Sequence, residues 1–233
     1  MLEFEERNHS TEHRKMITIV ALSLFIAVFR SGCTQKLGDM DCIQISNMDR
    51  QMRGKVLEQH NWKRYFLAGG YPFPDKRQVQ YPTASDMSLF YYDCTLEGHA
   101  YAIATECNAG DPNFDYVGSN NATLNYNSFN SDSITEMIDK WWETGLNSRS
   151  LVNLKPSRQN RAMIPFLQMV NGKTNKLGCA YEICHRRWFS DYVLFVCVYG
   201  EQKITLHQPI YTNGPPCGSC RTKCTFNNRL CTI

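Results

Sequence analysis

The sequence lacks a membrane-length apolar run, an excess of one charge and a recognisable hydrolase signature. The apolar stretch Met16–Phe29 has fourteen residues, short of the roughly 18 that an uncleaved anchor needs. Formal charge is +3, from 25 Lys and Arg against 22 Asp and Glu. The basic residues are spread along the chain, so the clustered face of a nucleic-acid binder is missing and the charge serves solvation. No Gly-x-Ser-x-Gly elbow occurs, which removes one class of serine hydrolase. Neither His60 nor His185 has a Glu or His four residues on with which to recruit a metal.

What the chain has is sulfur. Eleven cysteines are present, a density that calls for an oxidising compartment. A route to one lies at the start. Arg14 and Lys15 precede Met16–Phe29, and the small residues of "RSGC" follow, which is the layout of a cleaved signal peptide. The acidic leader before Arg14 leaves the start at Met1 or Met16. Cleavage near Gly32 or Cys33 leaves ten cysteines: Cys42, Cys94, Cys107, Cys179, Cys184, Cys197, Cys217, Cys220, Cys224 and Cys231. Ten permits five bridges, so the thiolate of a Cys–His pair is not expected. "CGSC" at Cys217–Cys220 has zinc-knuckle spacing, but no partner pair or ligand histidine follows it, and disulfide staples are the stronger reading.

Periodicity organises the rest. Met48, Met52, Val56, His60, Arg64 and Leu67 recur at helical steps, with Gly69, Gly70 and Pro72 as the stop. Residues 71–87 are rich in Pro and polar groups and read as a surface loop. A second helix is expected in 95–107. Residues 108–130 are dominated by Gly, Asn, Asp and Ser and read as a long irregular excursion. It contains the acceptor sequon Asn121-Ala122-Thr123, an expected glycosylation site. Ser133 with Glu136 reads as the capping box of a third helix carrying Ile134, Met137, Ile138, Trp141 and Trp142 and ending near Gly145. "LGCAYEIC" and "DYVLFVCVY" then read as adjacent antiparallel strands. Helices first and strands later make the class α+β.

Several landmarks fall in one order: "LEQHNWKR", "YYDCTLE", a tandem "WW", "FLQMV" before "KLGCA", "VCVYG" and "PIYTNGPPCGSC". From about Gly54 to Cys231 this set resembles the cysteine-rich secretory, antigen 5 and pathogenesis-related superfamily (CAP, or SCP/TAPS), in its nematode venom-allergen-like branch. The resemblance implies an α-β-α sandwich with a three-stranded antiparallel sheet between helices. It implies the division 1–33 leader and signal, 34–53 extension, 54–200 CAP domain and 201–233 hinge and Cys-rich tail. Cys179 with Cys184 is expected to close a small loop.

Family members carry two His and two Glu that can hold a divalent metal, one His in "GHFTQMVW". Here the match is "IPFLQMVN", with Pro165 at the His position and no ligand atom. The other three positions fall on Asp111, Ser119 and Thr144. Glu143 stands one residue from the family's acid, about 100° around a helix. A zinc ion needs three or four converging N, O or S donors, so neither metal nor cofactor is expected, and the chain reads as no enzyme. The resemblance points to a secreted, extracellular binding protein directed at a host cell-surface protein, with adhesion-receptor antagonism as the specific expectation. Sterol or fatty-acid carriage is the alternative, and a metal-dependent hydrolase the reserve. No membrane span is expected after signal cleavage. His60 is expected to be a buried structural residue, and His185, beside Arg186 and Arg187, a solvated turn.

Overall fold

The structure, a computed structural model, describes residues 40–43, 46–73, 79–108, 110, 118–126, 129–187, 189–200 and 203–232. The signal segment 1–33, Met1, Met16, Cys33 and Asp111 lie outside them. Among the described residues no helix is long and apolar enough to cross a membrane.

Helix α1 is Arg50–Ala68. The Asp49 carboxylate caps it by accepting from Met52 N at 2.7 Å. It stops in a Schellman motif: Tyr71 N donates to Phe66 O, Gly70 N to Leu67 O, and Gly70 takes φ 83°, a conformation that glycine reaches without Cβ strain. Strand β1 is Tyr91–Tyr92, and helix α2 is Cys94–Thr105, capped by Asp93. Strand β2 is Ser119–Asn125, helix α3 Ser131–Glu143 and helix α4 Ile164–Val170. Strands β3, Lys176–Cys184, and β4, Tyr192–Tyr199, complete the sheet. A hairpin of β5, Cys224–Thr225, and β6, Leu230–Cys231, closes the tail.

The sheet runs β1-β3-β4-β2. Its antiparallel body is the three strands β3, β4 and β2, and two-residue β1 adds a parallel edge beside β3. Every residue of β4 from Val193 to Tyr199 is buried, which requires cover on both faces. Alternation decides the cover. Phe195 stacks on Trp141 of α3, and Tyr199 reaches His60 of α1. Even-numbered Tyr192 instead bonds Cys107 O at the end of α2. Helices α1, α3 and α4 thus form one outer layer and α2 the other. Gly178 permits the second contact, because a Cβ there would lie 2.2 Å from Glu97 N.

The same alternation corrects the expected Cys179–Cys184 loop. Five positions along a strand place two side chains on opposite faces. Cys179 bonds Cys197, its direct partner in the β3–β4 register, while Cys184 bonds Cys107. The other bridges are Cys42–Cys94, Cys217–Cys224 and Cys220–Cys231.

Three further expectations change. Residues 119–125 form a strand, because Cα partners on β4 are available from Val198 to Tyr192. The third helix starts a turn early: Asn130 is its cap, accepting from Asp132 N and Ser133 N, and Ser133 Oγ reaches back to Asn130 N. Part of the 71–87 loop is core, since Tyr81, Ala84 and Met87 are buried. The tail covers it through Cys231 N to Met87 O and Leu89 N to Cys231 O, each 2.8 Å.

Candidate functional site at the start of helix α4

Helix α4 has only seven residues, all buried, too few to hold by themselves. Its two ends are fixed from outside. At the C-terminus the Arg64 guanidinium, fully buried, donates to Met169 O, Asn171 O, Ser88 O and Thr174 O at 2.7–2.8 Å. It also lies 3.4 Å from the centre of the Phe90 ring. Two of these carbonyls belong to the end of α4, where orphan C=O groups and the negative pole of the helix favour a cation. No carboxylate takes part in this set, and burial lowers the Arg64 pKa.

At the N-terminus stands Pro165, in the first turn, where its missing N–H costs nothing. Thr144, which ends α3, bridges the junction: its hydroxyl donates to Trp141 O at 2.7 Å and accepts from Phe166 N at 3.2 Å. Asn120 Nδ2 donates to Pro165 O at 2.9 Å and to the Tyr199 hydroxyl at 3.0 Å. That hydroxyl lies 2.9 Å from His60 Nε2, and His60 Nδ1 lies 2.8 Å from Val56 O.

Proton positions follow from the acceptors. Val56 O can only accept, so His60 Nδ1 carries the proton and Nε2 accepts from Tyr199. The imidazole is therefore neutral. Burial, with a smaller push from the charge of Arg64, lowers its pKa to about 3, against the opposing Val56 bond. Burial also raises the Tyr199 pKa, which keeps the phenol a donor. Asn120 Oδ1 is buried and has no hydrogen-bond partner among the described residues.

The structure thus brings Thr144 and Pro165 together and sets Asn120 beside them. Ser119 lies on the opposite strand face from Asn120 by alternation. Asp111 is outside the described residues. Glu143 is exposed. Asn121 sits half-buried in β2, its Nδ2 donating to Gly110 O at 3.0 Å. His185 is exposed and pairs with Asp191 at 2.9 Å.

This donor set does not fit a divalent metal. Pro165 offers no atom, the Thr144 hydroxyl is committed in both directions, and both His60 nitrogens are engaged. Among the described residues one amide oxygen is left without a partner, where zinc needs three or four donors. Among the described residues the cluster with ligand-like closeness is Cys217, Cys220 and Cys231, and all three sulfurs are in disulfides.

Sequence reading missed the partners of His60, although a signal existed: His60 and Arg64 occupy core positions of a helical stripe, and polar groups there need buried partners. It missed Glu97 as well. This fully buried carboxylate accepts Arg53 Nε and Nη2 at 2.7 Å each, Tyr92 Oη at 2.7 Å and Ser46 Oγ at 2.6 Å. The result is a satisfied ion pair tying α1 to α2.

The model of the cysteine-rich secretory protein family (CAP) matches residues 57–199, and the chain belongs to that family. It is 29% identical over 202 residues to hookworm platelet inhibitor 1 of Ancylostoma caninum, covering 84% of this chain and 87% of the relative. Among solved structures it is similar to a crystal structure of NaASP2 with zinc, at 27% identity and TM-score 0.66 over 82% of this chain and 99% of the other. It is likewise similar to the crystal structure of hookworm platelet inhibitor, at 25% identity and TM-score 0.62 over 82% and 95%.

Proposed function

We propose that the protein is a secreted, non-enzymatic binding protein of a nematode that modulates its host by antagonising an adhesion receptor on host blood cells. The observation that carries the non-enzymatic part is the cleft at α4, where Pro165 and the committed Thr144 hydroxyl leave no donor set for a catalytic ion among the described residues. Supporting the target class is the extent of the likeness to hookworm platelet inhibitor 1, 84% of this chain against 87% of that protein. A frame with five disulfides suits a surface presented outside cells.

The test is adhesion of host platelets and neutrophils to immobilised ligand in the presence of the purified, oxidised protein, with metal analysis of the same preparation. Dose-dependent loss of adhesion by a metal-free protein is the expected result. Stoichiometric zinc would overturn the non-enzymatic reading, and unchanged adhesion of both cell types would overturn the receptor reading.

A further inference from the structure

We propose that a groove on the α2 side of the sheet binds a small organic anion, a carboxylate or phosphate monoester carried on a compact and largely apolar skeleton. The groove encloses about 680 Å³, within the roughly 300–1,000 Å³ usual for small-molecule sites. One wall is the first turns of α2, the other is the segment Lys173–Lys176, and the end of β4 forms the floor. It lies across the sheet from the α4 cleft: Val198 is even-numbered in β4 and faces α2, whereas the Tyr199 side chain turns to His60.

Charge and surface define the ligand. Half-buried Leu96 supplies apolar contact, over a floor closed by buried Val198. Lys173, Lys176 and His99, all exposed, line the groove's rim. The single carboxylate of the lining, Asp93, is already spent. Its Oδ2 pairs with Lys176 at 3.0 Å, and its Oδ1 accepts Thr95 N and Leu96 N at 2.9 and 3.1 Å. Among the described residues Lys173 has no ion-pair partner, so it leaves the groove with uncompensated positive charge. An inorganic anion would answer that charge but leave half-buried Leu96 in contact with water. A neutral apolar molecule would cover Leu96 and desolvate the lysine without pairing it. A compact organic anion does both.

The walls are held before any ligand arrives, which lowers the ordering cost of binding. Gly200 N donates to Lys176 O at 2.9 Å and Tyr91 N to Asn175 O at 2.8 Å. The Thr174 carbonyl is gripped by buried Arg64. The opposite wall is fixed by the Cys42–Cys94 bridge and by the close approach of α2 at Gly178.

Isothermal titration of the full, oxidised protein with 1-naphthyl phosphate, 1-naphthoate, 1-naphthol and inorganic phosphate tests the assignment. The two aryl anions are expected to bind at one saturable site, with naphthol and inorganic phosphate weaker by about tenfold or more. Lys173→Glu should weaken the anions by about tenfold or more, Thr95→Trp should block them by filling the groove, and Lys155→Glu, outside it, should change nothing. Naphthol binding as tightly as the anions, inorganic phosphate binding as tightly as its naphthyl ester, no saturable binding at all, or an unchanged Lys173→Glu would each overturn the proposal. The groove is independent of the adhesion reading, and either can fail while the other stands.

Discussion

The two ends of helix α4 make opposite demands on the sequence. At the C-terminus four carbonyls, one from Ser88 and three from the stretch 169–174, converge on the fork of one buried guanidinium, and only an arginine places planar donors in that pattern. At the N-terminus the contacts are made by backbone atoms, Pro165 O and Phe166 N, so the identity of the side chain is weakly constrained. Proline can therefore stand at position 165 without loosening the helix.

The largest predicted effect breaks the anchored end. Arg64→Ala leaves four buried carbonyls short of a donor and opens a cavity beside Phe90, so unfolding free energy should fall by about 3–5 kcal/mol. Chemical denaturation reads this directly. Arg64→Lys, which keeps charge but loses the fork, should recover only part of it. If Arg64→Ala costs less than about 1 kcal/mol, the contrast between the two ends disappears.

At neutral pH a smaller effect, one that grows only on acidification, lies in the hydrogen-bond chain that runs from the start of α4 through Asn120 and Tyr199 to α1. His60 has a folded pKa of about 3, below its unfolded value of about 6.5. Between these limits the unfolded chain binds one more proton, so stability is complete above about pH 6.5 and is lost as pH falls toward 3, by up to about 1.4 kcal/mol per pH unit. His60→Gln should flatten that part of the curve of melting temperature against pH. An unchanged slope would show that other groups carry the acid sensitivity.

Legibility in the sequence followed the same divide. The α1 stripe, the Gly69–Gly70 stop and the paired β3 and β4 strands are local patterns, and each could be read from a window of ten to twenty residues. Strand β2 could not, because "SNNATLN" offers few apolar residues and takes its order from the ladder with β4. The roles of His60, Arg64 and Glu97 stayed hidden for a related reason: their partners lie 139, 110 and 44 residues away, at Tyr199, Thr174 and Arg53. Disulfide pairing also needed the register, since Cys179 and Cys184 are near in sequence but on opposite faces. The expected metal positions rest on resemblance alone, and the commitment of the Thr144 hydroxyl required the three-dimensional junction of α3 with α4.

The smallest expected change is at Pro165. Pro165→Ala keeps the backbone contacts of α4 and restores an N–H in the first turn, where helices tolerate an unpaired donor if water or a cap can reach it. Its cost should be about 0.4–1 kcal/mol, chiefly from the greater freedom of the unfolded chain. Pro165→His asks the sharper question, because it puts an imidazole at the position where the resemblance places a ligand. Stoichiometric zinc should still be missing after dialysis against the metal: Thr144 stays committed to Trp141 O and Phe166 N, and Ser119 lies on the far strand face. One new nitrogen falls short of the three or four donors required. Zinc uptake by Pro165→His alone would mean that donors from outside the described residues complete the site, and that the proline by itself had closed it.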